Sequence, residues 1–206
     1  MNPIAKAEAL IEALPYLQAF RGKTFLIKMG GSAMEGPDLV ANVMRDIVFL
    51  EVAGINPIVV HGGGKAISAA MEKAGLEAKF VGGFRVTTDE AIDIVSRVLS
   101  EEINPGLVRM MRDFGGKAVG IPGTDVFLGE KLRSKDADGN SIDLGRVGEV
   151  IGCQLSNMDA AHNAGIVPFI SPLAAELGTG RPLNINADLA AAALAKELRV
   201  AKLVYL

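Results

Sequence analysis

The sequence predicts an α/β fold, a three-layer αβα sandwich around a mostly parallel central sheet. Short apolar runs of strand length recur along the chain: "TFLIKM", "PIVVH", "KAVGI", "IVPFIS" and "KLVYL". Stretches with helical periodicity separate them. The runs are nearly continuous rather than alternating, the pattern of strands covered on both faces. With 206 residues, half of them apolar and only 22% charged, the chain can fill such a core and is not expected to be disordered.

The elements follow in order. Asn2-Pro3 places a cap and a first-turn proline at the head of a helix. Residues 4–19 keep helical periodicity, and Pro15 is expected to kink or break the run. "TFLIKM" (24–29) is the first strand and "GGSAMEGPD" the loop after it. Residues 38–53 set Leu39, Val43, Ile47 and Leu50 on one helical stripe. "PIVVH" is the second strand, followed by Gly62, Gly63 and Gly64 and a helix to about Ala74. "TTDE" (87–90) has capping-box spacing, Thr87 with Glu90. It opens a long helical stretch that Asn104-Pro105 interrupts and Gly115-Gly116 ends. "KAVGI" is the third core strand, and residues 124–150 read as short strands around the polar turn "KDADGNS". "SNMD" caps a helix closed by Gly165, "IVPFIS" is the fourth core strand, and "NADLAAAALAKEL" is an alanine-rich helix before the last strand. There is no internal repeat, low-complexity tract or evident linker.

Composition removes several function classes. The net charge is −3, and no basic tract or aromatic-basic stripe suggests nucleic acid. Apolar runs are broken well short of the ~18 residues a membrane span requires. The first twenty residues do not read as a signal peptide. A single cysteine, Cys153, suits a reducing cytoplasm. Two histidines, His61 and His162, and no Cys/His cluster argue against a zinc site or a Ser-His-Asp hydrolase. Both histidines read as structural.

In parallel sheets, ligands bind beyond the carboxyl ends of strands. "KMGGS" and "HGGGK" both sit there. The three glycines fit neither the dinucleotide fingerprint nor the P-loop, because Ile67 and Val59 occupy glycine positions of those patterns. "DADGN" fails the calcium-loop pattern. Lys28 ends a core strand, where a lone ammonium is costly and calls for an anion beside it. With Gly30, Gly31 and Gly62–Gly64 it makes a cradle for phosphate; on spacing alone, plain turn chemistry stays open. Arg85, in "VGGFRV", offers a planar fork for a carboxylate, or is an ordinary surface arginine. In "PLNINAD", Asn184, Asn186 and Asp188 are more short polar groups than one helix cap requires.

Taken in order and spacing, "FLIKMGGSAM", "IVVHGGGKAI", "GGFRVTTDEAIDIVSRVLSEEIN", "GGKAVGI" and "LNINADLAAAALAKEL" resemble the amino acid kinase family. "GGFRVT" together with "NINAD" points to its acetylglutamate-phosphorylating branch. The resemblance covers nearly the whole chain and implies a carbamate-kinase-like fold. It implies an enzyme that moves a phosphoryl group from ATP, with Mg2+ on the nucleotide, to the side-chain carboxylate of N-acetyl-L-glutamate, in arginine biosynthesis. It makes Lys28 and Asp188 catalytic, the lysine bridging the transferring group and the acid orienting the catalytic lysines. Gly30 and Gly31, with Gly62, become the phosphate loops, and Gly63 and Gly64 backbone donors to substrate. Arg85 would grip the substrate carboxylate, and Asn184, with Asn186 beside it, the acetylamino acid. Residues 1–22 are an N-terminal helix that would join a homo-oligomer, a dimer or a hexamer. Residues 23–180 are the acetylamino-acid lobe and 181–206 the start of a nucleotide lobe. The family continues beyond a "KLVYL"-like strand, so the chain is expected to be C-terminally truncated relative to it. Thr124 stands where the family usually has a lysine, and Lys65 is atypical beside the glycines. A binding module without turnover, or a related kinase acting on an acetylated aminoadipate, are the alternatives.

Overall fold

The computed structural model describes residues 2–135 and 141–206, so most of the turn "KDADGNS" lies outside the described residues. Helix α1 (Pro3–Phe20) precedes strand β1 (Thr24–Met29). A 3-10 turn, Gly31–Met34, leads to α2 (Pro37–Val52), β2 (Asn56–His61) and α3 (Gly64–Lys73). A small hairpin, β3 (Phe80–Val81) and β4 (Phe84–Arg85), comes before α4 (Ala91–Arg97). A π-helical segment, Val98–Ile103, joins α4 to α5 (Asn104–Asp113). Then come β5 (Ala118–Ile121), β6 (Phe127–Lys131), β7 (Ser134–Lys135), β8 (Ser141–Ile142) and β9 (Val147–Cys153). The chain continues through α6 (Ser156–Asn163), β10 (Val167–Ile170), β11 (Leu173–Glu176), β12 (Pro182–Ile185), α7 (Ala187–Leu198) and β13 (Lys202–Tyr205).

The five apolar runs pair as one parallel sheet in the order β13-β1-β2-β10-β5. Successive strand residues point to opposite faces, so each run feeds two cores. Leu26, Val60 and Ile170 pack with Ala190, Ala191 and Leu194 of α7 and Met158 of α6. Ile27, Val59 and Phe169 pack with Met44 and Ile47 of α2 and Leu107 and Met111 of α5. Three layers result. Beside the sheet, β11, β12, β9 and β6 close a small barrel. Its short link from the sheet, Ser171-Pro172 between β10 and β11, brings β12 and the start of α7 to the carboxyl edge of β1 and β2.

Several local expectations are corrected. Helix α1 runs unbroken through Pro15, which removes only its own N–H from the ladder. Leu39 faces outward; of the expected stripe Ile47 is buried, Val43 and Leu50 are partly buried against the core, and Met44 joins them. The capping role falls to Thr88, whose hydroxyl accepts from the Ala91 N–H at 3.1 Å, while Thr87 is buried and bonds elsewhere. Ser156 lies inside α6 and makes no capping hydrogen bond. The "GGSAM" loop contains the 3-10 turn. At Asn104-Pro105 the helical path widens into a π segment rather than stopping, because Pro105 has no N–H to give the preceding turn.

Candidate functional site

Strands β1 and β2 run in register, Lys28 beside Val60 and Met29 beside His61, so their following loops leave the sheet side by side. The Gly62 N–H donates to the Met29 carbonyl at 2.7 Å. A Cβ on Gly62 would lie 3.4 Å from Gly30 Cα, so the two loops are stacked backbone on backbone. A Cβ on Gly30 would stand 2.7 Å from Lys28 Nζ, so that glycine lets the lysine head fold over its own loop. Gly31 adopts a φ of +53°, where a side chain is disfavoured. On the far side, a Cβ on Gly63 would come within 2.7 Å of Leu99 and Ile103 methyl groups. At Gly30 and Gly63 a neighbour therefore fills the place of a side chain, at Gly62 the adjoining loop is in contact with it, and Gly31 and Gly64 face open space. Among the described residues, no acceptor meets the N–H of Gly31, Gly63 or Gly64. Gly64 also opens α3, whose first-turn N–H groups add positive potential.

Lys28 Nζ lies 2.9 Å from Asp188 Oδ1. Asp188 stands in the first turn of α7, and the ammonium is mostly buried while the carboxylate is half exposed. The anion that strand burial called for is thus supplied from across the sheet edge.

Arg85 ends β4 and is buried. Its Nη2 donates to the Gly64 carbonyl and to Ser68 Oγ, both at 2.8 Å, and the guanidinium stacks on Phe80 at 4.6 Å. Burial lowers its pKa from the ordinary value. Arginine remains charged all the same. Among the described residues, no carboxylate lies within salt-bridge distance of it. A buried cation without a protein anion is the chemical signature of a site for an acidic ligand.

Asn184 sits on β12 and donates from Nδ2 to Thr87 Oγ1 at 3.0 Å. Thr87 spends its own proton on the Arg85 carbonyl at 2.9 Å, so its oxygen can only accept from Asn184. The amide is thereby oriented, and among the described residues no donor meets its Oδ1. Asn186 has a structural duty: its Oδ1 accepts from the Asp188 and Leu189 N–H groups at the head of α7. Lys65 turns to the rim and pairs with Glu35 at 2.8 Å, and Thr124 lies in a separate 3-10 turn.

The structure brings every one of the expected residues together. Lys28, Gly30, Gly31, Gly62, Gly63, Gly64, Arg85, Asn184, Asn186 and Asp188 line one cavity of about 270 Å3. That is just below the range of ligand clefts, ~300–1,000 Å3. Two buried groups behind the cavity escaped functional notice in the sequence. His61 is fully buried, and Asn104 donates to it and to the Phe169 carbonyl. Their only sequence trace is a histidine beside the glycines and an asparagine that heads a helix. No helix of the described residues is long and apolar enough to cross a membrane.

Comparison with known proteins follows the same outline. The sequence profile of the amino acid kinase family matches residues 23–206. An acetylglutamate kinase of Akkermansia muciniphila is 64% identical over 203 residues, covering 98% of this chain and 68% of that protein. Acetylglutamate kinases of Leifsonia xyli subsp. xyli and Thermoanaerobacter pseudethanolicus are 45% and 41% identical, covering 98% and 100% of this chain and 68% and 67% of theirs. The chain therefore spans about two thirds of these relatives' length. Among solved structures, N-acetylglutamate synthase from Neisseria gonorrhoeae, complexed with coenzyme A and N-acetyl-glutamate, superposes with a TM-score of 0.84 at 21% identity. The match covers 100% of this chain and 46% of that one. Giardia carbamate kinase gives 0.63 at 15% identity over 90% of this chain and 74% of its own. Both share the fold.

Proposed function

The chain belongs to the amino acid kinase family of enzymes, and from that premise we propose that it serves the phosphorylation of N-acetyl-L-glutamate by ATP. The product is N-acetyl-L-glutamyl 5-phosphate, and the step belongs to arginine biosynthesis. Arg85 grips the free α-carboxylate with its planar fork. Asn184 accepts from the acetamido N–H through its Oδ1. The side-chain carboxylate, already ionised at neutral pH, needs no general base. It attacks the γ-phosphorus, the bond to the β-bridging oxygen breaks, and ADP leaves with the electron pair. Two anions must be held together, so catalysis rests on position and charge neutralisation. Lys28 supplies the cation between them, held in place by Asp188. Gly31, Gly63 and Gly64 supply N–H donors to phosphoryl and carboxylate oxygens. Mg2+ arrives with the nucleotide as part of that substrate. Residues 23–180 form the acceptor lobe, and 181–206 begin the nucleotide lobe. The exposed Ile4, Leu10, Ile11 and Tyr16 of α1 support a role for residues 1–22 in a homo-oligomer.

The observation that carries this reading is the buried Arg85, without a carboxylate partner among the described residues, on the same cavity as Lys28 and the open glycine N–H groups. Calorimetry should find acetylglutamate binding that is lost when either carboxylate is amidated, and a hydroxamate assay with Mg·ATP should trap the acyl phosphate. Absence of both would end the reading. Binding without acyl phosphate would favour a module that holds acetylglutamate without turnover, a reading that the two-thirds span motivates.

A further inference from the structure

His61 closes β2 and has no solvent-exposed surface. Its Nδ1 lies 3.0 Å from the Gly62 carbonyl oxygen and its Nε2 3.1 Å from Asn104 Nδ2. A carbonyl oxygen only accepts, so Nδ1 carries the proton. Nε2 is then an acceptor, and the Asn104 amide must face it with an N–H. That amide is itself fixed, because Nδ2 also donates to the Phe169 carbonyl at 2.8 Å. Burial lowers the imidazole pKa to about 4, so one neutral tautomer holds at neutral pH.

The consequence lies one peptide further on. The Gly62–Gly63 bond is trans, and its C=O and N–H point in opposite directions. A carbonyl held toward the buried imidazole turns the Gly63 N–H the other way. Gly63 lines the cavity and its N–H has no acceptor among the described residues. The Gly62 N–H is already spent on Met29. The imidazole is the polar group that fixes the rotation of this peptide plane.

We infer that His61, held in one tautomer by Asn104, is a positioning residue that aims the Gly63 N–H at an oxygen of the acceptor carboxylate. It touches no reacting atom, and the inference rests on the kinase reading above. The surroundings are built for it. The π-helical segment closes Leu99 and Ile103 on Gly63 and delivers Asn104 at its end. π-Bulges are frequent at functional sites. Gly120 on β5 leaves the room, since a Cβ there would collide with Asn104 Oδ1.

Two substitutions separate positioning from packing. Asparagine offers an N–H at the δ position, where histidine has Nδ1–H. Glutamine offers an acceptor at the ε position but no δ donor. His61→Asn therefore keeps the bond to Gly62, and His61→Gln keeps only the Asn104 side. Acetylglutamate affinity, read by calorimetry on this chain, should fall about tenfold or more in His61→Gln and stay within about threefold in His61→Asn, the scale of one hydrogen bond to a charged group. Both variants lose the imidazole ring and shift the Gly63 amide resonance, but the shift should be larger in His61→Gln than in His61→Asn. Nitrogen-15 spectra of the unaltered chain should show the Nδ1–H tautomer, a readout that needs no variant to fold. An Nε2–H tautomer, equal affinity losses in the two variants, or a Gly63 shift no larger in His61→Gln than in His61→Asn would each overturn the inference. If the unaltered chain neither binds acetylglutamate nor yields acyl phosphate, the kinase reading falls instead. His61 is then judged by its tautomer and the Gly63 resonance alone.

Discussion

Acidification should destabilise this protein through His61 before its carboxylates matter. The imidazole pKa drops from 6.5 to about 4 on folding, with burial as the main cause, only partly offset by the bond to Gly62. Above pH 6.5 neither state binds the proton, and the histidine adds no pH dependence. Below 6.5 the unfolded chain takes up a proton that the folded chain refuses, so stability is lost as pH falls towards 4. The loss is about 2 kcal/mol by pH 5 and about 3 kcal/mol by pH 4, from the shift of about 2.5 units at 1.36 kcal/mol each. Urea unfolding followed by far-ultraviolet circular dichroism at pH 7, 6 and 5 reads this directly, since the chain has no tryptophan. His61→Asn, which cannot titrate, should flatten most of the slope between pH 7 and 5. Glu176, whose carboxyl pKa is lowered by its bonds to Thr179 and Arg146, acts in a lower window, below its ordinary value. A flat profile in the unaltered chain, or the same slope in His61→Asn, would refute the reasoning.

Three further outcomes are expected. Lys28→Ala should cut acyl-phosphate formation ~100-fold or more while acetylglutamate affinity changes by less than ~5-fold, because the ammonium acts on charge that develops during transfer; parallel losses in steady-state assays and calorimetry would contradict its role. Arg85→Lys should weaken acetylglutamate binding ~10-fold or more, since an ammonium cannot reproduce the planar fork. Calorimetry checks this, and unchanged affinity would remove Arg85 from the site. Gly120→Ala should cost ~1–3 kcal/mol in urea unfolding, since the new methyl displaces a buried amide that bonds His61 and the Phe169 carbonyl; a neutral result would mean that Asn104 has room to move.

What the sequence revealed depended on the range of the interaction. The parallel sheet was legible because "IVVH" and "FLIK" are apolar on both faces, and that alone decides burial. The Lys28 loop and the glycine turn were legible because strand ends and helix starts are local. Thr87 misled, since a buried hydroxyl bonded to Arg85 and Asn184 looks the same in sequence as an exposed cap. The cap fell one residue later, on Thr88. Leu39 misled because its neighbours Met44 and Ile47 met the sheet and it did not. Asn104 was legible only as part of a helix interruption, not as a buried donor. Its meaning depends on His61 and Phe169, on two other strands, and on the space left at Gly120.

The stacking of Gly30 on Gly62 has a consequence for how such a protein can diverge. The gap between ammonium and glycine turn is fixed by the spacing of two neighbouring strands, a lattice constant that no loop substitution can retune. Arg85 and Asn184 stand on a separate hairpin and on the small barrel, joined to each other through Thr87. Acceptor preference can therefore drift with those outlying mounts while the machinery for moving phosphorus stays locked to the sheet.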